Sequence, residues 1–112
     1  MNPRKTIEPY KEEIISAIEK INEYTNSLDL PSFIKNTMSY DATMMQLILI
    51  GELSSKIPDY VRAQNENIPW NKIISLRNRI AHDYFSLSDE VLWEIITKDL
   101  PELKVEIQNL HD

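Results

Sequence analysis

The chain reads as a succession of segments whose apolar positions recur at helical spacing. From about Ile7 to Ser27, the positions Ile7, Tyr10, Ile14, Ile15, Ile18, Ile21 and Tyr24 or Thr25 keep that rhythm. They predict a long amphipathic helix with Lys11, Glu12, Glu13, Glu19 and Lys20 on its outer side. Pro9 suits its first turn. Asn26-Ser27-Leu28-Asp29 reads as a turn, and Pro31 opens a short second helix that runs to about Ile34 or Asn36. The run Asn36 to Asp41 reads as a connection. A third helix follows over residues 41–57, closed by Pro58. Residues 58–68 are a polar connection with room for one helical turn. A fourth helix runs from Pro69 to about His82 or Asp83, with Trp70 as a core anchor at its start. Beyond a short link, Ser88 followed by Asp89 and Glu90 makes a good N-cap for a helix carrying Val91, Leu92, Trp93, Ile95 and Ile96. Asp99-Leu100-Pro101-Glu102 reads as a capping box that kinks or restarts this helix, and Leu103, Val105, Ile107 and Leu110 complete the pattern.

The third segment breaks the amphipathic rule. Ala42, Met44, Met45, Leu47, Ile48, Leu49, Ile50, Leu53 and Ile57 make it apolar nearly all round between residues 44 and 50. Such a helix is buried on more than one side. In so small a bundle, burial on two sides points to a second protein surface, so the segment is read as the central helix and as part of a homodimer interface, with a core helix of a monomer as the alternative. Gln46, Gly51 and Glu52 interrupt the run. It also falls short of the roughly 18 residues that a membrane span needs.

Composition narrows the class. The chain has 112 residues, enough for one domain, here taken as residues 1–112. At this size roughly 65% of the unfolded surface can be buried. The single glycine argues against strand-rich, tight-turn architectures, while Glu, Lys, Leu and Ile are abundant. The expected fold is all-α, a compact antiparallel bundle of four or five helices. The absence of cysteine excludes a disulfide framework or a thiolate metal site. No apolar run follows Met-Asn-Pro-Arg-Lys-Thr, so no secretory signal is read, and a cytoplasmic protein is the simplest expectation. The formal net charge is −6. That disfavours a general polyanion binder, because counterion release needs clustered Lys and Arg. Any nucleic-acid contact must use a local positive spot. Lys72, Arg77 and Arg79 form one candidate, joined by Lys56 or Arg62.

Residues 75–85, Ser-Leu-Arg-Asn-Arg-Ile-Ala-His-Asp-Tyr-Phe, concentrate the reactive side chains. With Ile73 at zero and about 100° per residue, Leu76 and Ile80 fall within about 60° of Ile73, and Arg77 within about 40°. Asn78 and His82 are i,i+4 neighbours on the opposite, polar face. A guanidinium on an apolar arc is costly unless it is paired or faces a wet cleft. If the helix continued to Tyr84, that side chain would share Arg77's side. His111 sits at the C-terminal fringe and is given no role. No metal-ligand pattern is present: no second His lies within a turn of His82, and there is no Cys. Taken alone, His82 reads as a surface residue and Tyr84 as a packing aromatic. As chemistry the group is coherent. An imidazole can take a proton near neutral pH, and an Arg fork can hold a phosphodiester and stabilise charge in its transition state. Asn78 can orient His82 or a phosphate. These groups suit metal-free RNA cleavage, with no cofactor expected. Arg77 and His82 lie about 140° apart around the helix, so one copy does not aim both at one phosphate easily. Two copies across a two-fold axis could build one cleft.

Arg77-Asn78-Arg79-Ile80-Ala81-His82 resembles the Arg-polar-x(3–5)-His signature of the HEPN superfamily. Asp83-Tyr84 extends it to Arg-x4-His-x-Tyr, which resembles the HepT toxin branch. The phrases Ile-Gly-Glu-Leu (50–53), Ile-Pro-Trp (68–70), Leu-Arg-Asn (76–78), Ala-His-Asp-Tyr-Phe (81–85) and the run 91–103 are similar to that family, as is Glu-Tyr-Thr (23–25). The resemblance implies a homodimeric helical bundle with a ribonuclease site at the dimer interface. Arg77 and His82 would carry the catalysis, Asn78 would support it, and Arg79 and Lys72 would be RNA contacts. It also implies a partner, an MntA-like minimal nucleotidyltransferase antitoxin that transfers AMP from ATP to Tyr84. The added phosphodiester charge and bulk would repel RNA and block the cleft. An alternative stays open: a non-catalytic subunit that binds substrate for, or regulates, a nucleotidyltransferase. A purely structural helical dimer fits less well, because packing alone would favour Leu or Met at position 77.

Overall fold

The computed structural model describes residues 7–83 and 87–110. Among them every regular element is helical. Helix α1 (Glu8–Thr25) has Pro9 in its first turn and buries Ile14, Ala17, Ile18, Ile21 and Thr25. The Thr25 hydroxyl donates to the Ile21 carbonyl at 2.8 Å, which lets a polar side chain sit in the core. Helix α2 (Leu30–Lys35) starts where the Asp29 carboxylate accepts the Ser32 N–H at 2.9 Å. Hydrogen bonds from Ser32, side chain first and then amide, hold the Asp29 carboxyl below its ordinary range.

Helix α3 spans Thr37–Lys56. It therefore begins earlier than the apolar pattern predicts, and the expected connection over residues 36–41 shrinks to Asn36. The reason is a cap: the Asn36 side chain accepts the Ser39 N–H at 3.1 Å. The helix ends as expected, with Ile57 extended ahead of Pro58. The polar stretch that follows holds the single turn α4 (Asp59–Ala63), and α5 covers Trp70–His82. Trp70 is buried, and its indole N–H donates to the Asn65 carbonyl at 3.0 Å.

Helix α6 (Asp89–Glu94) begins at Ser88, whose hydroxyl accepts the Val91 N–H at 3.2 Å. The predicted capping box at Asp99 does not form. Asp99 has helical backbone angles and makes no side-chain cap bond. Instead a π-helical turn, Ile95–Asp99, joins α6 to α7 (Leu100–Gln108). Within it the Leu100 N–H bonds to the Ile95 carbonyl, five residues back. Pro101 has no N–H to place, so the widened turn absorbs it and the helix neither stops nor needs a cap. The fold is the expected all-α bundle, and its described residues form seven α-helical segments where four or five helices are expected. The excess comes from the one-turn α4 and from dividing a continuous run at the π turn.

Helix α3 lies between α1 and α5, and α7 packs on α1. Helix α2 bridges α3 and α6. There the fully buried Phe33 ring meets Tyr40, at a centroid distance of 5.3 Å, and Trp93, at 5.2 Å. Burial, with Asp89 and Asp41 nearby, pushes the Tyr40 hydroxyl above its ordinary pKa. No helix among the described residues is long and apolar enough to cross a membrane.

Phe33→Ala should lower unfolding free energy by about 3–5 kcal/mol, read from urea denaturation, because it empties the joint of three helices. Ser88→Ala should cost about 1 kcal/mol through the lost cap. Asp99→Ala should stay within about 0.5 kcal/mol in the same assay, since Asp99 caps nothing.

A candidate site where α3 and α5 cross

Arg77 occupies the awkward position that its helical phase implies. Ile80 on the same arc is buried, Ile73 and Leu76 are half-buried, and Asn78 and His82 are exposed. The Arg77 side chain keeps 32% of its surface open. Its cost is offset by pairing. Nη2 makes an ion pair with the Glu52 carboxylate on α3, and Nη1 donates to the Asn78 side-chain oxygen at 2.9 Å. The two terminal nitrogens are thus held from different helices, while Nε is buried without a hydrogen-bond partner among the described residues.

The stem of Arg77 is fixed by the residue next to Glu52. Gly51 is buried at the α3–α5 crossing, and a side-chain carbon there would meet the Arg77 Cβ, its Cγ at 2.8 Å and the Ile73 carbonyl oxygen at 3.3 Å. The backbone of Gly51 has no unusual angle. What this position requires is space, so the only glycine of the chain marks the closest approach of the two helices.

The all-round apolar character of α3 resolves into three arcs. One faces α1 and one faces α5. The third is open: Met38, Met45 and Leu49 are 85%, 63% and 37% exposed. Their spacing continues to Glu52 and Lys56, so an apolar stripe on α3 leads directly to the carboxylate that holds Arg77.

The remaining candidates scatter around α5. His82 is exposed in its last turn, about 140° from Arg77 on the helix. Asn78, expected to orient His82 or a phosphate, accepts a hydrogen bond from Arg77 through its side-chain oxygen. Lys72 and Arg79 line a groove of about 430 Å³ between α5 and the α6–α7 run, floored by Leu47, Leu76 and Leu100. Lys72 lies 3.9 Å from Asp99 across that groove. The basic spot read from the sequence is therefore split, with Arg77 turned toward α3 and Lys72 and Arg79 toward α7. Arg62 pairs with Asp59 within α4 and shares a second, shallower pocket with Lys72. Helix α5 does not continue past His82: Asp83 is extended, with φ −149° and ψ 83°. Tyr84, the expected modification site, lies outside the described residues.

The sequence reading missed Gly51 and Glu52 as parts of this site. The signal was present in two forms. A lone glycine interrupts the most apolar helix, and an acid follows it inside the phrase Ile-Gly-Glu-Leu.

The family model described as ribonuclease HepT-like matches residues 14–110. The chain is 31% identical over 107 residues to a protein of Thermococcus cleftensis named probable ribonuclease HepT, covering 96% of this chain and 97% of that one. It is 30% identical over 105 residues to a Methanocaldococcus jannaschii protein named as an RNase, covering 94% and 96%. A protein of Caldanaerobacter subterraneus subsp. tengcongensis, also named as an RNase, is 29% identical over 106 residues, covering 95% of each. No solved structure matches the chain at a comparable level. A match over nearly the whole helical domain, carried by relatives of the same length, shows that the chain belongs to the HepT-like ribonuclease family of the HEPN superfamily.

Proposed function

We propose that this protein is a metal-independent endoribonuclease and the toxin of a toxin–antitoxin pair. The observation that carries the reading is the placing of Arg77. Its guanidinium is held at the edge of an open apolar stripe on α3, while His82 stands exposed on another face of the same helix. A stripe of this kind on a small domain fits a second copy of the chain. Pairing through it would bring two copies of α5 together and let Arg77 and His82 of different protomers face one phosphate. That arrangement answers the angular separation that keeps them apart within one chain.

The chemistry follows from the groups. His82 takes the proton of a ribose 2′-hydroxyl. The 2′-oxygen attacks the adjacent phosphorus, a new O2′–P bond forms and the P–O5′ bond breaks. The proton passes to the departing 5′-oxygen, leaving a 2′,3′-cyclic phosphate and a 5′-hydroxyl end. Arg77, steadied by Asn78, stabilises the charge that builds on the non-bridging oxygens. Lys72 and Arg79 offer contacts to the flanking strand. An MntA-like nucleotidyltransferase neutralises the toxin by transferring AMP from ATP to the Tyr84 hydroxyl: the phenolic oxygen bonds to the α-phosphorus and pyrophosphate leaves. That adds a phosphodiester negative charge two residues from His82, and anionic RNA is then repelled.

Purified protein incubated with RNA in the presence of a chelator should cleave it, and His82→Ala, at unchanged thermal stability, and Arg77→Ala should each lower the rate by roughly 100-fold or more. Complex formation with a nucleotidyltransferase but no cleavage by the wild type would favour the non-catalytic subunit. Met45→Glu combined with Leu49→Glu should convert a dimer into a monomer in analytical ultracentrifugation and abolish cleavage together with it. Co-expression with the nucleotidyltransferase should add AMP-sized increments in intact-mass measurement, and Tyr84→Phe should remove them.

A further inference from the structure

The geometry points to Gly51 and Glu52 as a built seat for Arg77, which makes Glu52 a positioning residue of the ribonuclease site. The inference rests on the reading of Arg77 as the group that meets the scissile phosphate. Three observations carry it. Gly51 leaves no room for any side chain against the Arg77 Cβ and Cγ, so α3 presses on the stem at its base. Glu52, the next residue, takes the far end of the same side chain through Nη2. Asn78 takes the other terminal nitrogen at 2.9 Å. A long side chain is therefore held at its base and at both tips of its fork.

The physical consequence is pre-organisation. A free arginine loses rotamer entropy when it is fixed on a ligand. Here much of that ordering is already made by the fold. The fork carries five N–H donors in one plane. Glu52 and Asn78 each engage one terminal nitrogen, which fixes the plane without exhausting the donors. A phosphate meets a guanidinium of set orientation rather than one that must be gathered from solvent.

A carboxylate beside a phosphate-binding arginine could instead be a competitor that weakens RNA binding. The two roles predict opposite signs. If Glu52 positions Arg77, removing its charge lowers turnover. If it competes, removing its charge tightens binding and raises activity. The packing favours the first role: Gly51 confines only the stem, so the plane of the fork is set by Glu52 and Asn78.

The test uses the full chain, a short RNA oligonucleotide, and the variants Glu52→Gln, Glu52→Asp, Gly51→Ala and Arg77→Ala. Glu52→Gln is expected to lower kcat on the order of 10–100-fold with KM within about twofold, and Glu52→Asp to recover part of the loss. In side-chain NMR the Arg77 Nε–H signal should be ordered in the wild type and averaged in Glu52→Gln. Wild-type turnover in Glu52→Gln, higher activity in it, or an equally ordered Arg77 signal would overturn the seat. Gly51→Ala should lower kcat as well, and if it fails to fold, the isosteric Glu52→Gln still decides. Arg77→Ala separates the two readings. If it cleaves as well as the wild type, Arg77 is not the phosphate-binding group and the proposed site fails. If it is inactive while Glu52→Gln is not, only the seat fails.

Discussion

The close crossing of α3 and α5 at Gly51 is the contact on which the rest of this domain depends. With no side chain on Gly51, the Arg77 stem of α5 packs directly on the α3 backbone, and this contact helps to fix the rotation of α5. A glycine inside a helix costs about 1 kcal/mol relative to alanine, so the position is not one that helix propensity would choose. What the crossing returns is a defined exit direction for Arg77. That side chain leaves the crossing along α3, reaches Glu52, and stops half-buried at the margin of the apolar stripe.

The surrounding packing keeps that crossing rigid. Helix α1 covers the opposite side of α3, α7 covers α1, and α2 ties α3 to α6 through Phe33. The π turn at Ile95–Asp99 lets the last helical run pass Pro101 without breaking, so Leu100, Leu103 and Ile107 all reach the core. Against this frame α5 is held mainly from one side, by α3. Its other flank borders the groove beside α6 and α7 that Lys72 and Arg79 line. The candidate chemistry is thus displayed on a helix with one packed face and several open ones.

An acidic chain that handles RNA must do so locally. A formal charge of −6 disfavours a broad positive surface that would gather counterions. The cations of α5 do not even form one cluster, since Arg77 and Arg79 diverge around the helix. A few fixed cations acting at short range would fit this economy. The same economy makes such a site easy to switch. One added negative group near His82 would change the sign of a small local field.

Much of the fold was legible in the chain. Helical spacing gave α1, α3 and α5, Pro58 gave the end of α3, and Ser88 gave the start of α6, because these signals act within one turn of backbone. Two local readings failed for an equally local reason. Asn36 proved a cap rather than part of a link, and Asp99 was carried through by a π turn that no pattern of residues announces. The reactive residues 77, 78 and 82 were also visible, as was the anomaly of a charge on an apolar arc. What relieves that anomaly was not. Glu52 lies in a different helix from Arg77, and only the crossing angle of α3 and α5 brings the carboxylate to the guanidinium. The sequence by itself determined which candidate side chains α5 bears and where they fall around it. The tertiary structure decided how Arg77 is held, that Lys72 and Arg79 turn away from it, and which arc of α3 stays open. Those are matters of contact between distant segments, which local propensity and periodicity do not encode.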